Sequence, residues 1–227
     1  MKKITFIITA FVLCNSVAQA QVSIGVRTGF NLATWSYTPK NTTSNTNYTV
    51  TEPLVLGFTF AMPIEIKVSD SFILQPELSF IQKGYSQKRE SGSDHTQDTY
   101  IFNYFEMPLL AKVMLGNKRF KIGGFTGPSF GYLVSGQDVT AYGASQKFYV
   151  YNKNIDFNAA IYKTTNRFDI GLVLGIQPTY NITDYGRIFF DVRYQLGLTD
   201  FKNDLPDNTK IFNRGIGLSI GAFTYFK

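Results

Sequence analysis

The chain has 227 residues, 16% of them aromatic and only 17% charged, whereas soluble domains average about a quarter charged. It carries a formal net charge of +6 but no block of three or more consecutive basic residues, which excludes nucleic acid as an expected partner. One cysteine, Cys14, and one histidine, His95, exclude a disulfide framework and metal sites built on thiolates or imidazoles.

The N-terminus reads Met1-Lys2-Lys3, then an apolar stretch from Ile4 to Val17, then Ala18-Gln19-Ala20. A charged start, an apolar segment too short to span a bilayer and a small-residue cleavage site describe a signal peptide over residues 1–20. Cys14 also permits a lipoprotein reading, which Leu13 in the preceding position disfavours. Residues 21–227 then form one domain, and the loss of two lysines lowers its formal charge to +4.

After Gln21 no apolar run is long enough for a membrane helix. Two-residue alternation recurs instead, the mark of strands with unlike faces. The first such strand sets Val22, Ile24, Val26, Phe30 and Leu32 against Ser23, Gly25, Arg27, Gly29 and Asn31. The second sets Leu54, Leu56, Phe58, Phe60, Met62, Ile64 and Ile66 against Gly57, Thr59, Glu65 and Lys67. Further strands are predicted over 72–83, 100–114 (with a bulge near Asn103-Tyr104), 120–134, 167–180, 188–196 and 211–226. Segments 34–53, 84–99, 135–166 and 199–210 read as long polar connections, and 68–71, 115–118 and 181–186 as short turns.

This alternation of long and short links predicts an all-β fold: a single antiparallel up-and-down transmembrane β-barrel of about eight strands, with long external loops and short periplasmic turns. Volume decides which face looks outward. So small a lumen is just filled by side chains, and the Phe-, Leu- and Ile-rich face is too bulky for it. That face is expected to meet lipid. The opposite face carries Gly25, Gly29, Gly57, Gly123, Gly127, Gly131, Gly171 and Gly175 among Arg27, Glu65, Lys67, Glu77, Lys83, Glu106, Lys112, Lys121, Asp169, Asp191 and Arg193. An internal ion-pair network is the expected result. Trp35, Tyr85, Tyr100, Tyr132 and Phe168 are expected in an outer aromatic girdle, and Phe72, Phe120, Tyr180, Tyr185 and Phe226 in an inner one. Pro63, Pro76, Pro108, Pro128 and Pro178 fit poorly, because each falls inside a strand and cannot donate to the ladder.

Several stretches resemble the PorT-like outer-membrane β-barrel family of Gram-negative bacteria. They are Leu74-Gln75-Pro76-Glu77-Leu78 with Gln82-Lys83-Gly84, Phe105-Glu106-Met107-Pro108-Leu109-Leu110-Ala111-Lys112, Gly127-Pro128-Ser129-Phe130-Gly131-Tyr132, Phe168-Asp169-Ile170-Gly171-Leu172 and Asp191-Val192-Arg193-Tyr194-Gln195-Leu196-Gly197-Leu198. The resemblance implies a barrel of this size in the outer membrane, usually without an assigned activity. The secretion role linked to the family's namesake does not transfer.

Candidate chemistry is sparse. His95 lies in Glu90-Ser91-Gly92-Ser93-Asp94-His95, where an external loop is a poor support for a hydrolytic triad. Glu77 and Glu106 form a candidate carboxylate pair, for which ion pairing is the plainer reading. Gly124, Gly127 and Gly131 lack the Lys-Ser/Thr of a phosphate loop. The polar segment Asn41 to Thr49 suits either a surface loop or contact with a glycan or protein. No catalytic, cofactor or metal residue is therefore expected. The expected partners are outer-membrane lipid and, among candidates, lipopolysaccharide, envelope proteins or surface glycans. The expected role is non-enzymatic: structural, surface display or partner docking, with a narrow pore and a lipid-modifying hydrolase as rivals.

Overall fold

A computed structural model describes residues 21–38, 49–91, 94–144, 147–159, 162–183, 185–202 and 209–225. The expected signal peptide, residues 41–48 of the polar segment, Gly92, Ser93, Asp184 and Phe226 lie outside them. Ten strands are described: β1 (Val22–Thr38), β2 (Thr49–Thr51), β3 (Val55–Lys67), β4 (Phe72–Ser91), β5 (Asp94–Gly116), β6 (Phe120–Ala144), β7 (Lys147–Asn154), β8 (Phe168–Thr183), β9 (Gly186–Gly197) and β10 (Lys210–Tyr225). Eight of them form one antiparallel ring in the order β1-β3-β4-β5-β6-β8-β9-β10, closed by pairing of β10 with β1. Closure gives every strand two neighbours, as a lipid surround requires.

The bulky face points outward. Phe58, Phe60 and Leu174 are 44%, 43% and 44% exposed, while their strand neighbours Thr59 and Val173 are buried. The glycine-rich face lines the interior, but not all aromatics are excluded from it. Phe125, Phe189 and Phe223 are buried inside, each lying on a glycine: a Cβ on Gly175 would sit 2.4 Å from Phe125 Cζ, one on Gly221 2.3 Å from Phe189 Cζ, and one on Gly25 2.7 Å from Phe223 Cδ1.

The β5–β6 register shifts between Asn103 and Tyr104, where the bulge is expected. The change of face lies on the partner strand. Tyr104 and Phe102 keep the inward face of β5, whereas in β6 Val134 and Ser135 are both exposed between buried Leu133 and Gly136. The prolines are also accommodated. Pro63 stands opposite Glu77, Pro76 opposite Leu109, and Pro108 opposite Ser129. Each partner adjoins the next strand's proline, so Pro63, Pro76, Pro108 and Pro128 form a staggered seam across β3–β6. Pairing lapses beside the first three, between Pro63 and Ile66, Pro76 and Ser79, and Pro108 and Ala111. Four of the five missing donors are thus gathered along one line, while Pro178 stands apart in β8, opposite Ile122, with its own lapse in the β8–β9 ladder between Ile176 and Thr179.

One end of the barrel carries tight turns. In the β5–β6 turn, Asn117 Oδ1 accepts from the amides of Arg119 and Phe120 at 2.9 and 2.8 Å, and Gly116 takes φ +137°, open to glycine. In the β3–β4 turn, Lys67 donates to Asp70 at 3.0 Å and holds that carboxyl below its ordinary pKa through the hydrogen bond and its charge. Lys67 therefore belongs to the periplasmic rim, not to the lumen network in which it is expected.

At the other end the strands run farther than the sequence predicts. Most of 84–99 is the continuation of β4 and β5, and much of 135–166 is the end of β6 with β7. There β2, β4, β5, β6 and β7 form a five-stranded sheet standing off the ring. These segments read as loops because beyond Ser86 and Gly136 most residues on both faces are at least partly exposed, which erases the apolar half of the alternation; Thr, Tyr and Val still favour the extended chain.

Candidate functional site

The interior is a column of ion pairs in three tiers. Nearest the periplasmic turns, Lys112 donates to Glu65 at 2.7 Å and to Gln177 at 2.5 Å, and Arg187 pairs with the other oxygen of Glu65. Lys112 and Arg187 both lie over the Phe223 ring, 5.5 and 4.6 Å from its centre. In the middle tier Glu77 accepts from Arg193 at 3.0 and 3.2 Å, from Arg27 at 3.3 Å and from Gln75 at 2.6 Å. Arg193 also donates twice to Asp191, at 2.8 and 2.7 Å. In the upper tier Lys83 pairs with Glu106 and, at 2.8 Å, with Asp169, which also accepts from Asn213 at 2.9 Å.

Among the described residues, five cations (Arg27, Lys83, Lys112, Arg187 and Arg193) and five anions (Glu65, Glu77, Glu106, Asp169 and Asp191) are buried here. Formal charge therefore cancels inside the tube. Such balance is what burial demands, since each ion removed from water costs several kcal/mol unless paired. Nine of the ten are legible in the alternation; Arg187 is missed because it follows the short turn directly. Glu77 and Glu106 do not face one another: the register sets Glu106 against Ser79, and each carboxylate has its own cations. Lys121 lies half-exposed at the periplasmic end.

Above the ions the mouth is sealed by rings. Trp35 stacks on Tyr85 with centroids 4.7 Å apart and interplanar angle 3°, and meets Phe102 at 5.9 Å and Phe201 at 4.9 Å. Ile155 and Phe201, both from external connections, are buried in the same cluster with Ile81, Tyr104, Leu133 and Ile211. The outer girdle is corrected accordingly. Trp35, Tyr85 and Tyr100 turn inward to fill the mouth, because inward-facing rings gain more burial from each other than from the interface. Tyr132 and Phe168 do face outward and meet edge-to-face at 5.1 Å. Phe120, Tyr180 and Tyr185 are exposed near the other rim, with Phe72 half-buried.

The inward face continues up the outer sheet as a wall. Tyr142 stands opposite Tyr149, and Thr140 opposite Tyr151 and Asp98. Asp98 accepts from Thr140 at 2.9 Å and pairs with Arg89. All three tyrosines are exposed, Tyr151 to 66%. Nearby Asp138 is pushed above its ordinary pKa, first by burial and then by the Asp98 carboxylate. His95 is not in a loop but in β5, opposite Glu90 and Gly143, with its ring over Gly143, where a Cβ would lie 2.2 Å away. Ser93 lies outside the described residues. Among the described residues, no three His, Cys, Asp or Glu side chains are grouped to hold a metal ion.

A closed antiparallel ring with an apolar outer band, a charge-neutral filled interior, short turns at one end and extended hairpins at the other is an integral outer-membrane β-barrel. The family model described as outer membrane protein beta-barrel domain matches residues 17–203, and the chain belongs to that family. No curated protein matches the sequence. Among solved structures, the outer membrane protein OprG from Pseudomonas aeruginosa is similar at 12% identity, over 91% of this chain and 97% of that one, with a TM-score of 0.46. Neisserial surface protein A is similar at 12% identity over 89% and 97%, with a TM-score of 0.38. The outer membrane protease OmpT from Escherichia coli is similar at 10% identity over 91% and 96%, with a TM-score of 0.45. Likenesses this distant carry no argument about activity.

Proposed function

We propose that this protein is a non-enzymatic, PorT-like barrel, exported by a cleaved signal peptide, that anchors a docking surface for an envelope or surface partner. The observation that carries the reading is the inward-side wall of the outer sheet, where Tyr142, Tyr149 and Tyr151 are exposed beside Arg89, Asp98 and Thr140. Tyrosine offers large amphipathic contact area at low conformational cost, and a rigid sheet presents it without further ordering. The sealed mouth and neutral ion column favour an anchor over a conduit, and the PorT-like stretches fall on the barrel strands, not on this wall.

The test is quantitative co-purification from mildly solubilised envelopes. A partner retained by the wild type and lost with Tyr149→Ser/Tyr151→Ser, while the barrel still migrates anomalously when unboiled, is the expected result. Equal retention by both chains would remove the tyrosine wall from the function.

A further inference from the structure

A second surface lies on the outside of the barrel, where the lipid-facing band ends. β1 pairs with β3 only as far as Ala33 and Val55, but with β10 up to Thr38 and Lys210. Where β3 leaves β1 this opens a groove of about 360 Å³ that runs from the outward face of β1 in to Trp35 and Tyr37 of the mouth cluster. Its lower lip is apolar, formed by Leu32, Leu54, Ile216 and Tyr194; its floor is the short polar pair Thr34 and Ser36; its upper side is Arg214. The order of these residues along the strands sets their relative heights. Thr34 pairs with Arg214 one step above Leu32 and Ile216, so the guanidinium lies nearer the external end of the barrel than the apolar lip.

Arg214 is held from one side only. Its Nη1 donates to the carbonyls of Gly197 and Asn213, at 2.5 and 2.9 Å, and its plane lies near the Phe212 ring, 5.6 Å from the centroid. Among the described residues no carboxylate forms an ion pair with it, in contrast to the buried cations of the lumen. Glu52 also lines the groove, but one of its oxygens accepts from the Tyr85 hydroxyl at 3.2 Å. A fixed guanidinium with which no carboxylate among the described residues pairs, directly above an apolar wall, is complementary to a molecule with a phosphate attached to acyl chains.

We propose that this groove binds a phosphorylated glycolipid of the outer leaflet, with the phosphate on Arg214, sugar hydroxyls over Thr34 and Ser36, and the first acyl chain along Leu32, Leu54 and Ile216. The site is separate from the tyrosine wall, and its failure would leave that reading intact. A headgroup held here would tie β1 to β10 at the point where β3 no longer flanks β1.

The test is native mass spectrometry of the full chain released from detergent, titrated with bisphosphorylated lipid A, with the same lipid dephosphorylated, and with inorganic phosphate. Arg214→Gln is expected to weaken lipid A retention about tenfold, the scale of one charge-assisted hydrogen bond, and removing the lipid's phosphates should have the same effect on the wild type. Thr34→Phe, which fills the floor and keeps the arginine, should also reduce retention, so the proposal stays testable if Arg214→Gln fails to fold. Equal retention by wild type and both variants, or indifference to the lipid's phosphates, would overturn the site. Inorganic phosphate bound as tightly as the lipid would mark a simple anion site and overturn the lipid assignment.

Discussion

Glu77 is the residue on which the interior turns. It is wholly buried and takes hydrogen bonds from Arg27, Arg193 and Gln75. Replacing it with alanine would leave Arg27 facing only Ser219 and Arg193 facing only Asp191, with one positive charge uncompensated in the tube. Removing one member of a buried pair costs about 3–5 kcal/mol. Glu77→Ala should therefore lower the urea midpoint of the refolded barrel and diminish its unboiled band. A variant as stable as the wild type would mean that water, not protein, solvates these arginines. That Glu77 lies inside is legible from its place opposite Leu78 in the alternation; that its partners come from β1 and β9 is not, because neither strand neighbours β4 in the ring order.

At the scale of elements, the strands split into a barrel portion and an outer portion with different obligations. In the barrel, β4 and β5 remain paired from Phe72–Val113 to Tyr85–Tyr100, and the inward rows carry the ion tiers. In the outer sheet the β6–β7 hairpin pairs from Gln137–Asn154 to Ala144–Lys147 and supplies no member of the ion column. Replacing Val139–Asn152 with a two-residue turn should therefore leave the heat-dependent gel shift unchanged while abolishing partner retention. Loss of the gel shift would show that the hairpin is needed to close the ring. The sequence hides this division: the same polar composition that marks 84–99 and 135–166 as outside the membrane also conceals that they are strands, since two wet faces leave no period to read. His95 shows the consequence, a residue assigned to a loop that stands in a paired strand.

For the whole molecule, the filled interior makes a statement about transport. From the turns upward the tube holds Lys112 with Glu65, Arg193 with Glu77, Lys83 with Asp169, and then Trp35 stacked on Tyr85 under Phe201. An eight-stranded ring encloses little more than its own side chains. The purified protein in a planar bilayer should show no stepwise conductance; stable unitary currents would revive the narrow pore and overturn the sealed mouth. Fractionation with outer membranes is expected from the family and from the apolar band alike.

What the sequence determined by itself was the barrel: strand number, the direction of each face and nine of the ten buried charges, because a period of two with unlike faces is a local property of the backbone and needs no knowledge of neighbours. Everything that depends on which strands meet across the lumen or above the membrane came from closure of the ring. Trp35 and Tyr85 have the composition of a girdle and the position of a plug; Phe125, Phe189 and Phe223 fit inside only because glycines face them from adjoining strands; Arg214 is an ordinary arginine in the chain and, among the described residues, a cation without an ion-pair partner above a greasy groove in space. The physical reason is the same in each case. Alternation fixes which way a side chain points, but closure of the ring fixes what it finds there.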